Sequence, residues 1–206
     1  MNLQPDRKLT TLLFNPFVSI AGGKALGLGL AAVLLAGLIG SLSGTHFDGV
    51  LDTHVGFHTS LGIFLAEGLI DWSCLALVLL IFGKIISNTA FRTMDLLGTQ
   101  ALARWPTVFI GLVSLPPAIR RFSHDLLQLL TQPGAKIEIN PTDAVIFFAS
   151  VAAMLPLLCW MVVLMYKSYS VTCNVNGGKA IGTFIAGLFL AEILSKIAVY
   201  GLFKLI

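Results

Sequence analysis

Four charged residues lie where charge is costly. Glu67 and Asp71 stand four apart inside one long apolar run, and Glu192 and Lys196 repeat that spacing inside another. Four residues make about one helical turn, so each pair shares a helix face. In a bilayer, each such group costs roughly 2.5–3.5 kcal/mol on insertion scales and must face the protein interior and find partners. Counted from one membrane face, Asp71 is about ten residues deep and Lys196 about nine, so at about 1.5 Å per residue they share a level. Lys196 is therefore expected to pair with Asp71 or Glu67. Three acids against one base leave net negative charge, which a low-dielectric site relieves by keeping at least one acid protonated. The chemistry open to this cluster is a structural clamp between helices or a site responsive to protons or cations. Snorkelling of the long side chains to the interface is a third reading.

Other polar groups offer less. His46, Asp48, Asp52, His54 and His58 crowd into the stretch SGTHFDGVLDTHVGFH. On a helix starting near Thr53, His54 and His58 would be one turn apart and able to share a metal ion; otherwise the stretch is an ordinary polar loop. Ser123-His124-Asp125 is no triad, because consecutive side chains on a helix diverge. No GxSxG, HExxH, phosphate-loop or dinucleotide fingerprint occurs, so neither enzymatic activity nor a cofactor is expected. The three cysteines, Cys74, Cys159 and Cys173, lack metal-ligand spacing and form no disulfide framework. Cys173 is a candidate for acylation or an incidental thiol. Arg120 and Arg121, beside LLQLL, either rest on lipid headgroups or belong to a solvated loop.

The elements that must position these residues follow from composition. The chain has 206 residues, 56% hydrophobic and 11% charged, with a mean hydropathy of +0.90. Soluble domains carry about 25% charged residues, and about 20 mainly apolar residues cross the hydrocarbon core. The fold class expected is an all-α polytopic bundle in a single membrane domain. Five spans fit, at 24–42, 61–83, 101–119, 144–166 and 179–203, with a non-spanning interfacial segment at 9–20. KIISNTAFRTMDLLGTQ reads as the loop before the third span and Pro116-Pro117 as that span's end. RRFSHDLLQLL reads as a short amphipathic helix, AKIEINP as a short extended piece, and Pro156 as a kink in the fourth span. The start lacks an apolar stretch followed by a small-residue cleavage site, so the first span is expected to stay attached. Basic residues sit one or two at a time between apolar runs, which excludes a nucleic-acid surface.

Lysine and arginine bias sets the orientation. With the N-terminus inside, Arg7, Lys8, Lys24, Lys84, Arg92, Arg104, Lys167 and Lys179 fall inside, and Arg120, Arg121, Lys136 and Lys204 outside. Trp105, Trp160, Tyr166 and Tyr169 then lie near the inner interface and Tyr200 near the outer one. An internal echo links GGKALG (22–27) to GGKAIG (177–182). It reads either as shared helix-start chemistry or as two packing faces, since Gly23 with Gly27, and Gly178 with Gly182, have the spacing that brings helix backbones together.

Three stretches resemble the Yip (Ypt-interacting protein) membrane-domain family: FNPF near the N-terminus, FRTMDLLGTQALARWPTVF, and YKSYSVTCNVNGGKAIGTF. They are similar to that family's proline-containing approach to its first span, its polar inner loop leading to a proline in the third, and its short Gly-Lys-Ala connection to the last. The resemblance implies a five-helix membrane domain with a cytoplasmic N-terminus, and no catalytic residues. Its eukaryotic members are linked to Rab GTPases, vesicle trafficking and membrane shaping. The stretch before the first span is short where those members carry a long cytoplasmic region, so the resemblance implies fold more than Rab binding. The expectation is a small prokaryotic-type member in the cytoplasmic membrane. It would act through helix packing, lipid contact, or binding of a membrane-protein partner or a second copy. A small transporter or channel subunit using the acid/lysine cluster is the rival expectation.

Overall fold

The computed structural model describes residues 5–56, 58–132 and 138–204. Helix α1 (Pro5–Phe14) and a single 3-10 turn (Pro16–Val18) lead into α2 (Gly22–Ser43). A small hairpin of β1 (Thr45–His46) and β2 (His54–Val55) precedes α3 (Leu61–Ile86). Then come α4 (Thr93–Ala103), α5 (Thr107–Val113), α6 (Pro117–Thr131), α7 (Pro141–Thr172) and α8 (Gly177–Lys204). Among the described residues, five segments are long and apolar enough to cross a membrane: α2, α3, α4 with α5, α7 and α8. The protein is a polytopic helix bundle.

Four spans lie where their apolar runs place them, and the third does not. It covers Thr93–Val113, about two helical turns earlier than the 101–119 reading. The second half of KIISNTAFRTMDLLGTQ is therefore helix, not loop. This span has the lowest mean hydropathy of the five, 1.2 against 1.7–2.4, and is the most buried, 67% against 6–33%. A helix surrounded by protein needs no apolar coat, so hydropathy understates it. Pro106, which has no N–H to donate, separates α4 from α5. Pro117 opens α6 at its first turn, where a missing N–H is harmless, so Pro116-Pro117 starts an element as well as ending one. Helix α7 runs unbroken through Pro156. Of AKIEINP, 135–137 lie outside the described residues and 138–140 have no regular structure.

The span of α4 and α5 lies between α2 and α7, while α3 contacts α2, α4 and α8. Close approach is provided by glycines other than those the echo suggested. A methyl group on Gly29 would overlap the backbone of Ala101 and Leu102, and one on Gly98 the Gly22 carbonyl. One on Gly37 would stand 2.8 Å from the Phe64 carbonyl oxygen. By contrast, a methyl on Gly23, Gly27, Gly178 or Gly182 would meet no described atom within 4 Å, so those four do not bring helices together. The echo has a different meaning. Gly22 and Gly177 open their helices at φ 59° and 66°, a left-handed conformation that glycine adopts without steric cost.

The 9–20 segment expected at the interface falls on α1 and its following turn, which dock on α7. The Trp160 indole N–H donates to the Leu13 carbonyl at 2.9 Å, and the Phe14 ring lies 6.1 Å from it. Trp105 meets Trp160 edge-on at 4.5 Å. These aromatic residues therefore tie the N-terminal segment and two spans together.

Candidate functional site

The central feature is a buried ion pair. Asp71 on α3 accepts from Arg104 Nη2 at 3.2 Å through Oδ2, and from the Ser195 hydroxyl of α8 through Oδ1. Asp71 and Ser195 have no exposure, and Arg104 has 2%. Lys196 is thus not the partner of Asp71. Arg104, counted above among the inner loop cations, occupies that place because its helix starts at Thr93. About eleven residues of helix carry it about 16 Å along the span axis. A carboxylate and a guanidinium this deep persist only as a pair, because either alone would face the full desolvation penalty.

The same face of α4 carries further buried polar groups. Gln100 donates to the Met165 carbonyl at 3.0 Å, and Thr99 accepts from Ser168 at 2.8 Å and contacts Thr172 at 3.1 Å. Gln100 Oε1 and Arg104 Nη1 are buried without a hydrogen-bond partner among the described residues. They stand four apart on one helix, one an acceptor and the other a donor.

The remaining acids hold the hairpin. Residues 45–56 do not form a helix from Thr53 but turn back into the bundle, with His46 opposite His54 and Thr45 opposite Val55. Phe47 and Val50 are buried. Glu67 accepts from His46 Nδ1 at 2.7 Å and from the Phe47 backbone N–H at 3.3 Å. Glu192 accepts the Leu51 backbone N–H at 2.9 Å. Lys196 pairs with Asp52 of the hairpin and lies 3.7 Å from Glu192. Glu67 is about 9 Å along α3 from its start, and Glu192 about 18 Å from the end of α8. Irregular backbone survives at such depth only where its N–H groups find acceptors within the protein. Glu67 and Glu192 are those acceptors. Beside them a cavity of about 260 Å³ is lined by Leu51, Asp52, Leu188, Phe189 and Glu192.

The histidines are likewise used within the protein. His46 stacks on Phe64 at 4.3 Å and faces His54 at 5.4 Å. His54 bonds Asp48 at 3.0 Å. That hydrogen bond raises the His54 pKa against the opposing effect of burial. Burial pushes the Asp48 carboxyl up, but the His54 contact, a backbone hydrogen bond and the Lys196 charge together hold it below its usual range. His58 contacts Arg120 of α6. His54 lies on a strand and His58 on a loop, so they are not one turn apart on a helix, and no group of three or more metal-ligating side chains occurs among the described residues. Ser123-His124-Asp125 forms no relay, since His124 lies 3.8 Å from its neighbour Asp125 and 3.3 Å from Gln128. Cys173 is buried, and that burial pushes its thiol up to about 12.

Of the four charges singled out, the fold brings Glu67, Glu192 and Lys196 to the hairpin and sends Asp71 to a different partner. The sequence reading missed Arg104, Ser195 and His46 as partners. One signal was available for Arg104: a lone arginine following a run as small and polar as DLLGTQALA is spaced to sit on the interior face of a helix. Comparison with known proteins finds no matching family model, no matching curated protein and no matching solved structure.

Proposed function

We propose that the chain is a non-enzymatic integral membrane protein of the Yip type, with a cytoplasmic N-terminus in a prokaryotic cytoplasmic membrane. It works through helix packing, lipid contact or partner binding, in a role of membrane organisation. One observation carries this reading. The three acids singled out within spans are each engaged by a fixed protein donor: Asp71 by Arg104 and Ser195, Glu67 by His46 and the Phe47 N–H, and Glu192 by the Leu51 N–H. A carboxylate that carries an ion must exchange its partner for that ion. These carboxylates instead hold helices and a hairpin in place, which is what a scaffold requires. A second copy or another membrane protein remains the natural partner for the exposed apolar helix faces.

A second reading rests on the unpartnered Gln100 Oε1 and Arg104 Nη1. Together with Thr99, Ser168 and Asp71 they make a group of buried polar residues of the kind a small transporter or channel subunit would use. Liposome reconstitution with an ion-flux assay separates the two. The scaffold reading expects tight vesicles with both the parent and Asp71→Asn. Flux in the parent that Asp71→Asn abolishes would overturn it.

A further inference from the structure

Two cavities meet where the hairpin, α6 and α7 come together. One, of about 310 Å³, lies beside α6 and is lined by Val55, His58, Arg120, Ser123, His124 and Leu127. The other, also about 310 Å³, shares Val55 and Ser123 and runs along α7 past Phe147, Ser150, Val151 and Met154. Each lies at the low end of the range of about 300–1,000 Å³ for small-molecule sites, and side by side they form one bent trough. Both arms are mainly apolar. The first carries the exposed Arg120 and His124, whereas the second is lined by Phe147, Val151 and Met154 together with His54 and several hydroxyls. Ser150 and Met154 are nine and thirteen residues along α7, about 14–20 Å from its start, so the apolar arm descends beside the hydrocarbon.

The two arginines of α6 are not equivalent. Arg121 is committed to Asp143, with two bonds of 2.7 Å to the two carboxylate oxygens. Arg120 has no carboxylate partner among the described residues, and its side-chain contact is with His58. Helix α6 buries Ala118, Ile119 and Phe122 and leaves Leu126, Leu127, Leu129 and Leu130 exposed. That pattern, with arginines on the polar side, suits a helix lying in the interface. It sets Arg120 at headgroup level, at the mouth of an apolar slot.

We propose that this trough binds an anionic amphiphile, its carboxylate or phosphate on Arg120 beside His58 and His124, and one acyl chain along Phe147, Val151 and Met154. The inference rests on the lipid-contact reading above and deepens it to a site. A free fatty acid and one arm of an anionic phospholipid share this chemistry.

The test is native mass spectrometry of the full chain in neutral detergent, titrated separately with palmitate, phosphatidylglycerol and phosphatidylcholine. Saturable one-to-one binding of palmitate or phosphatidylglycerol is expected, and whichever binds identifies the source. Arg120→Gln changes an exposed residue and should weaken that binding about tenfold, the loss of one charge-assisted bond. Val151→Trp fills the slot from an exposed position and should abolish binding while the unfolding midpoint is retained. Equal binding of phosphatidylcholine, indifferent to Arg120→Gln, overturns the site. Graded, unsaturable lipid adducts that ignore both variants overturn the site and leave general lipid contact standing. The absence of any adduct overturns both.

Discussion

At the scale of the residue, the informative question is what each buried charge has as its counterpart. Asp71 and Arg104 are both almost wholly enclosed, so removing either strands the other. Arg104→Leu is expected to cost about 3–5 kcal/mol of stability, the usual loss on breaking a buried pair. Removing both charges with apolar residues of similar volume should recover most of it. Thermal unfolding in detergent of the two single variants and the double variant checks this, and additive losses would count against a direct pair. His54 and Asp48 supply a pH prediction of definite sign. The raised His54 pKa means its contact stabilises the fold fully below the ordinary histidine value of 6.5 and is lost as pH rises through the raised folded value. The lowered Asp48 pKa gives stability above 3.8 that is lost as pH falls through the lower folded value. The hairpin contact is therefore strongest in the acidic-to-neutral window between them. Imidazole NMR should show His54 titrating above 6.5, and Asp48→Asn should bring it back down. Cys173 should resist maleimide in the folded protein and react once it is unfolded. Glu67, Asp71, Glu192 and Lys196 were legible as costly residues because a charge in an apolar run is visible in one dimension. Their partners were not, because Ser195 and the backbone N–H groups of Phe47 and Leu51 carry no special mark in a sequence.

At the scale of the element, apolar runs revealed four spans almost to their ends, and failed for the third. Asp95, Thr99 and Gln100 make its first half look like a loop, yet it is the helix with the most protein around it. The glycines follow the same logic. Spacing alone pointed to Gly23, Gly27, Gly178 and Gly182, whereas the backbones that touch are at Gly29 and Gly98. Which face a glycine occupies depends on the helix opposite, and a repeat of four residues does not contain that. Gly29→Leu is expected to destabilise by several kcal/mol through overpacking between α2 and α4. Gly27→Leu, on open surface, should fall within about 0.5 kcal/mol of the parent. A pair of unfolding curves decides this, and equal effects would show that the α2–α4 contact is not tight. The hairpin was legible only as a polar segment. Its return into the bundle depends on carboxylates from two distant helices, so nothing local announces it.

At the scale of the whole molecule, the outer helices carry apolar surface, the middle ones carry polar bonds, and a non-helical segment is wedged among them. The five-span architecture was readable because lipid imposes a simple rule on surface composition. The interior was less readable because protein, as a solvent for polar groups, imposes no such rule. Where the polar bonds run has a consequence for how the chain is made. The hairpin and α3 are synthesised early, but their closing partners Glu192, Ser195 and Lys196 belong to α8, which follows much later. Those bonds join residues 124 to 144 positions apart. During translation the hairpin has emerged long before Glu192 exists to hold it. Final folding must therefore wait for α8, which acts as a latch on everything inserted earlier. A chain stopped at Asn176 should enter the membrane yet be cleared quickly by proteases, and pulse-chase labelling would show its half-life fall well below that of the full chain. A cell would then have a simple means of telling molecules whose hairpin is held from those whose hairpin is not: whether α8 has arrived.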